Sequence, residues 1–116
     1  MLGGSFYEKK AVEFLKLIGY RILERNFRSR FGEIDIIAKD KGCTVFIEVK
    51  ARSRDYLVSG KEAVTAQKIE KLRKTALYYA AKDLNRLFRF DVLEIIQGSS
   101  WRQYNLIKAA FDFSAD

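Results

Sequence analysis

Apolar residues recur at helical spacing near the start of the chain. Tyr7, Ala11, Phe14, Leu15 and Ile18 repeat at intervals of three and four, and Gly19 ends the run. Ser5-Phe6-Tyr7-Glu8 ahead of it has capping-box spacing. The pattern then shortens. Tyr20 to Arg28 is rich in aromatic and branched residues and predicts a strand. Gly32 to Ala38 and Thr44 to Arg52 predict a hairpin turning at Lys39-Asp40-Lys41-Gly42. Arg54 to Gly60 reads as a loop, and Ser59-Gly60-Lys61-Glu62 repeats the capping-box spacing at the head of a second helix running to Asp83. That helix has an apolar face of Val64, Leu72, Ala76 and Tyr79. Phe88 to Ile96 predicts another strand, Gln97 to Ser100 a turn, and Arg102 to Ile107 a last strand before a tail. The order α-β-β-β-α-β-β predicts an α/β fold with a central mixed β-sheet flanked by helices. With no proline, repeat or low-complexity stretch, residues 1–116 read as one domain.

Strand parity singles out three polar residues. Side chains alternate along a strand, so Ile34, Ile36 and Ala38 are expected on one face and Glu33, Asp35 and Ile37 on the other. In the next strand Val45, Ile47, Val49 and Ala51 share one face, and Phe46, Glu48 and Lys50 the opposite one. An even-numbered turn without a bulge sets Asp35 and Glu48 on the same side, roughly 5–8 Å apart. Two carboxylates that close repel unless a proton or a cation lies between them. The pattern has two accounts: a solvated sheet face, or a lined cleft, for which Phe46 and Ile37 on that side are the argument. Glu8, third after Ser5, has a sufficient role in the capping box, yet it shares a face with Ala11, Val12 and Leu15 and leans inward.

Composition narrows the chemistry. The chain of 116 residues has no histidine and one cysteine, Cys43, which excludes Ser-His-Asp and Cys-His catalysis, zinc fingers and disulfide scaffolds. The remaining tools are carboxylates, lysines and hydroxyls, and an oxygen-liganded cation such as Mg²⁺ or Mn²⁺ suits them. No apolar run is long enough to span a bilayer, and Met1 to Ser5 has no signal-peptide character, so a cytoplasmic location without membrane contact is expected. The net charge of +7 and pI near 9.6 point to a polyanionic partner, with solvated surface lysines and arginines as the plainer account. The basic residues cluster at Arg21, Arg25, Arg28 and Arg30, at Lys50, Arg52 and Arg54, and at Lys68, Lys71, Arg73 and Lys74. Asp35, Glu48 and Lys50 with an Mg²⁺ or Mn²⁺ ion are a set suited to phosphodiester hydrolysis.

Gly32-Glu33-Ile34-Asp35-Ile36-Ile37-Ala38 followed by Val45-Phe46-Ile47-Glu48-Val49-Lys50-Ala51-Arg52 closely resembles the YraN-type family of small uncharacterised bacterial proteins. The likeness extends to Gly19 through Arg28 and to Arg89-Phe90-Asp91-Val92-Leu93. That family is in turn similar to archaeal Holliday-junction resolvases and the PD-(D/E)xK nuclease superfamily. The resemblance implies a restriction-endonuclease-like fold, with Asp35 and Glu48 as metal ligands, Lys50 as the catalytic lysine and Glu8 as the acidic residue of the first helix. Ile34 stands where the superfamily has proline.

The expected function is therefore a divalent-metal-dependent nuclease acting on DNA, including branched DNA. Arg28, Arg30, Arg52, Arg54 and Lys68 are candidate phosphate contacts. The rival is a nucleic-acid-binding protein with the same fold and no turnover. A homodimer is implied only by the likeness to the resolvases.

Overall fold

The first helix stops where glycine allows the chain to turn. Gly19 has φ +101°, the Tyr20 amide donates to the Leu15 carbonyl at 2.9 Å, and the Gly19 amide to that of Lys16 at 3.1 Å. This paired closure is a Schellman motif, and its flanking residues Leu15 and Tyr20 both enter the core. The structure is a computed structural model that describes residues 4–56, 65–80 and 87–111. Its elements are α1 (Gly4–Leu17), β1 (Arg21–Ser29), β2 (Gly32–Asp40), β3 (Cys43–Ser53), a 3₁₀ turn (Arg54–Tyr56), α2 (Ala66–Ala80), β4 (Phe88–Gln97) and β5 (Arg102–Phe111).

The five strands form one sheet in the order β1-β2-β3-β4-β5. β3 and β4 run parallel, whereas the β1–β2, β2–β3 and β4–β5 pairs are antiparallel. A parallel pair needs a crossover, and α2 lies within it. This is the mixed sheet with two helices that the element order predicts. The structure shows ten residues in β5, four beyond the predicted end at Ile107.

Each face of the sheet is covered. On one side Tyr7, Ala11, Val12 and Leu15 of α1 pack on Ile36, Ala38, Val45, Ile47, Leu93 and Ile95. On the other, Leu72 and Ala76 of α2 pack on Ile34, Ile37, Phe46 and Phe90. Phe46, Ile37 and Ile47 are fully buried, each contributing roughly 1.5–3 kcal/mol by leaving water. The face that bears Asp35 and Glu48 is therefore not a solvated one.

Three local expectations need correction. Helix α1 already includes Gly4, so Ser5 lies within its first turn and does not cap it, and Glu8 bonds elsewhere. Helix α2 begins at Ala66, with Thr65 as its cap: the Thr65 hydroxyl accepts the Lys68 amide at 3.1 Å. The predicted start at Ser59 to Glu62, Val64 and the predicted end at Asp83 lie outside the described residues; Leu72, Ala76 and Tyr79 face the core as predicted. Strand alternation also breaks in β2, because Ile34 joins Ile37 on the α2 side while Ile36 faces α1.

Candidate metal and nucleic-acid site

The β2–β3 hairpin sets the register of the site. Lys41 and Gly42, with φ of 53° and 90°, form the tight turn, and pairing runs from Asp40↔Cys43 to Ile36↔Ile47. One further step would bring Asp35 opposite Glu48. There the ladder ends, and Asp35 Oδ2 accepts the Val49 backbone N–H at 2.8 Å. A carboxylate thus takes the position of a ladder carbonyl, beside the break in alternation between Ile34 and Ile36.

Burial raises the Asp35 carboxyl from its usual 3.8 to about 6, and the charge of Glu48 adds to it. The Val49 hydrogen bond opposes the shift, while Glu33 and Glu8 contribute smaller upward effects. The charges of three other carboxylates, Glu48 foremost, therefore act on Asp35. Glu48 has a side chain 11% exposed, and Lys68 Nζ of α2 lies 2.7 Å from its Oε2. Lys50, half-buried, follows two residues later on the Glu48 side of β3. Its register partner on β4 is Glu94. Glu94 Oε1 accepts the Asn105 side-chain N–H at 3.2 Å, and Glu94 Oε2 lies 3.9 Å from Arg52 Nε.

Glu8 projects from α1 toward β1. Its Oε1 accepts Arg25 Nη2 at 3.1 Å and Asn26 Nδ2 at 3.1 Å, and Asn26 has φ +53°. Among the described residues no three acidic, cysteine or histidine side chains converge to enclose a metal. Asp35 and Glu48 nevertheless fit a cation by chemistry. Each engages one carboxylate oxygen as described, their mutual repulsion would be relieved by positive charge, and Mg²⁺ retains waters beside few protein ligands.

The basic candidates divide into groups. Lys68 and Arg52 stand beside the acidic residues, and Arg54 is exposed in the 3₁₀ turn directly after β3. Arg28 is exposed on β1, 3.4 Å from Glu33, and Arg30 occupies the β1–β2 turn with its guanidinium 5.0 Å from the Phe31 ring. On the α1 side Lys16, Arg21 and Arg25 line an open groove of about 580 Å³ with Val12, Tyr20 and Ile22. Sequence reasoning missed Glu94, Asn105 and the Arg25–Asn26 grip on Glu8. A β3–β4 parallel register would have found Glu94, but no local pattern states which strands pair.

The model of an uncharacterised protein family, UPF0102, matches residues 7–95. The chain belongs to this family. It is 51% identical over 113 residues to a UPF0102 protein of Clostridium botulinum strain Hall, covering 93% of this chain and 92% of that one. A UPF0102 protein of Persephonella marina is 46% identical over 111 residues, covering 94% and 92%, and one of Sulfurihydrogenibium sp. YO3AOP1 is 46% identical over 94 residues, covering 79% and 82%. The span matched by the UPF0102 model contains Glu8, Asp35, Glu48, Lys50 and all the candidate phosphate contacts, and it ends at Ile95, before β5. The small uncharacterised family expected from the hairpin motif is the one found.

Proposed function

We propose that this UPF0102 chain is a divalent-metal-dependent nuclease that hydrolyses phosphodiester bonds in DNA, branched DNA included. The observation that carries the reading is the half-buried Asp35 carboxylate held on the Val49 amide at 2.8 Å, close enough to Glu48 for its charge to oppose ionisation of Asp35, with Lys50 two residues after Glu48 on the same strand. Asp35 and Glu48 would hold an Mg²⁺ or Mn²⁺ ion, with Glu8 as a further ligand once Arg25 releases it. When bound, such an ion supplies Lewis-acid activation of a water and neutralises charge on the phosphoryl oxygens. Lys50 would donate hydrogen bonds to the phosphate as its charge grows. Arg28, Arg30, Arg52, Arg54 and Lys68 would hold backbone phosphates, giving affinity that falls steeply with salt. Cytoplasmic location and a homodimer accompany this reading; no described helix is long and apolar enough to cross a membrane.

Calorimetric titration of Mn²⁺ into wild type and Asp35→Asn, with nicking of branched and linear DNA by the same pair, tests it. Metal binding and cleavage, both lost in the variant, are expected. DNA binding with neither metal affinity nor cleavage would overturn it in favour of the second reading, a nucleic-acid-binding protein without turnover. The ammonium of Lys68, 2.7 Å from Glu48, favours that alternative, because it already neutralises one of the two ligands.

A further inference from the structure

The β1–β2 turn presents an aromatic ring beside a second one on α2. The Phe31 amide donates to Ser29 Oγ at 3.0 Å, and the Ser29 hydroxyl reaches the Gly32 carbonyl at 3.4 Å, so side-chain bonds hold the turn. Gly32 has φ +151°, and a Cβ there would lie 3.3 Å from Thr75 Oγ1 and 3.7 Å from Lys71 Cβ. Only glycine suits this backbone and lets the turn approach α2 so closely. The approach brings the Phe31 ring 6.3 Å from Tyr78, edge to face, and Tyr78 is 50% exposed. Phe27 lies behind them, 6.3 Å from Tyr78.

The surroundings are basic. Lys71, Lys74 and Tyr78 fall at i, i+3 and i+7 on one face of α2; both lysines are exposed, and Arg30 lies over Phe31. An exposed ring, Tyr78, set against the half-buried ring of Phe31 and bordered by cations is an arrangement that stacks a base and holds the adjoining phosphates. Phe31 precedes Asp35 by four residues, roughly 13 Å at strand rise, which is about two nucleotides of an extended single strand.

We propose that Phe31 and Tyr78 form a stacking platform for an unpaired nucleotide, with Arg30, Lys71 and Lys74 on its neighbouring phosphates. The inference rests on the nucleic-acid reading above and deepens it: the substrate class is DNA in which unpaired bases adjoin a duplex. The platform selects such DNA, and the carboxylates act on the strand leading from it.

The test is binding of a fluorescent duplex with a short single-stranded flap, and of the same duplex fully paired, by wild type, Phe31→Leu and Tyr78→Leu. The flapped DNA carries 2-aminopurine at its unpaired positions. Wild type is expected to prefer flapped DNA and quench the 2-aminopurine. Each Leu variant should lose about tenfold in flap affinity, a stack being worth roughly that factor or more, and keep its duplex affinity. Tyr78→Phe, which preserves the ring, should behave as wild type and guards against a folding defect. Equal binding of both DNAs by wild type, or equal losses for both in the Leu variants, would overturn the platform and leave the nuclease reading intact. Absence of all DNA binding by wild type would overturn both.

Discussion

The carboxylate of Asp35 accepts the backbone amide of Val49 at 2.8 Å, replacing a main-chain partner where the β2–β3 ladder ends. That hydrogen bond holds an acidic side chain in a half-buried position within reach of the Glu48 charge. Burial and the neighbouring negative charge both oppose its ionisation, and the carboxyl titrates at about 6. The strain is electrostatic, and it leads to the first prediction.

A carboxyl whose folded-state pKa is raised from 3.8 to about 6 binds its proton more tightly when folded. Its stabilising contribution is therefore full below pH 3.8 and is lost as the pH rises through about 6. At neutral pH the charged form costs up to about 3 kcal/mol relative to the protonated one. Asp35→Asn keeps an acceptor for Val49 and removes the charge. Urea unfolding should show the variant more stable than wild type at pH 7.5 by about 1–3 kcal/mol, with the difference shrinking toward pH 4. A variant less stable at both pH values would contradict this account.

Lys68, 2.7 Å from Glu48, would compete with a cation held there. Its side chain is 46% exposed, so the ion pair itself adds less than about 1 kcal/mol to stability. Lys68→Gln should therefore unfold at nearly the same urea concentration as wild type while binding Mn²⁺ several-fold more tightly by calorimetry. Unchanged or weaker Mn²⁺ binding would show that Lys68 does not compete there.

A separate buried network ties the sheet to the end of α1. Asp91 is fully buried; it accepts the Tyr20 hydroxyl at 2.8 Å, Arg89 Nε at 2.8 Å and the Ala109 amide at 3.1 Å. Arg89 also reaches Asp40 at 2.9 Å. Burial and Asp91 drive the Tyr20 hydroxyl well above its ordinary pKa. Tyr20→Phe should cost about 1.5–3 kcal/mol, the range for a hydrogen bond to a charged group. Asp91→Ala should cost about 3–5 kcal/mol, because the Tyr20 hydroxyl and the Ala109 amide lose their acceptor and Arg89 is left with Asp40 as its anion. Denaturant midpoints measure both, and the reverse ranking would show that Asp91 is not the centre of the network.

Gly32→Ala should cost about 1–3 kcal/mol, from the φ of +151° and the 3.3 Å contact with Thr75 Oγ1. Thermal melts of Gly32→Ala and of Gly32→Ala/Thr75→Ser separate the two sources. Thr75→Ser keeps the hydroxyl in contact but frees its rotamer, so partial recovery is expected if crowding matters, and none if backbone strain dominates.

Much of the architecture was legible in the residues because it depends on short-range physics. The 3.6-residue period located α1, Gly19 marked its end, and the period of two with a turn read at Lys39-Asp40-Lys41-Gly42 gave the hairpin and its parity, while the structure narrows the turn to Lys41-Gly42. Parity placed Asp35 and Glu48 on one side of the hairpin, while spacing left open whether that side is solvated; the burial of Ile37 and Phe46 decides it. The helix caps were harder. Ser5 and Thr65 both stand near helix starts, but only the described boundaries show that Ser5 is inside its helix and that Thr65, not a residue read from spacing, caps α2.

The amino-acid order by itself determined the alternation of elements, the absence of histidine chemistry and the parity of Asp35, Glu48 and Lys50. Tertiary structure decided what surrounds them. The parallel β3–β4 pairing puts Glu94 level with Lys50, α2 covers the Asp35 face and delivers Lys68 to Glu48, and β1 supplies the Arg25 and Asn26 that hold Glu8. The approach of Gly32 to α2 joins Phe31 to Tyr78, 47 positions apart in the chain. Local periodicity and turn chemistry act over a few residues, whereas these contacts depend on which sheet face each helix covers and which strands pair across a crossover.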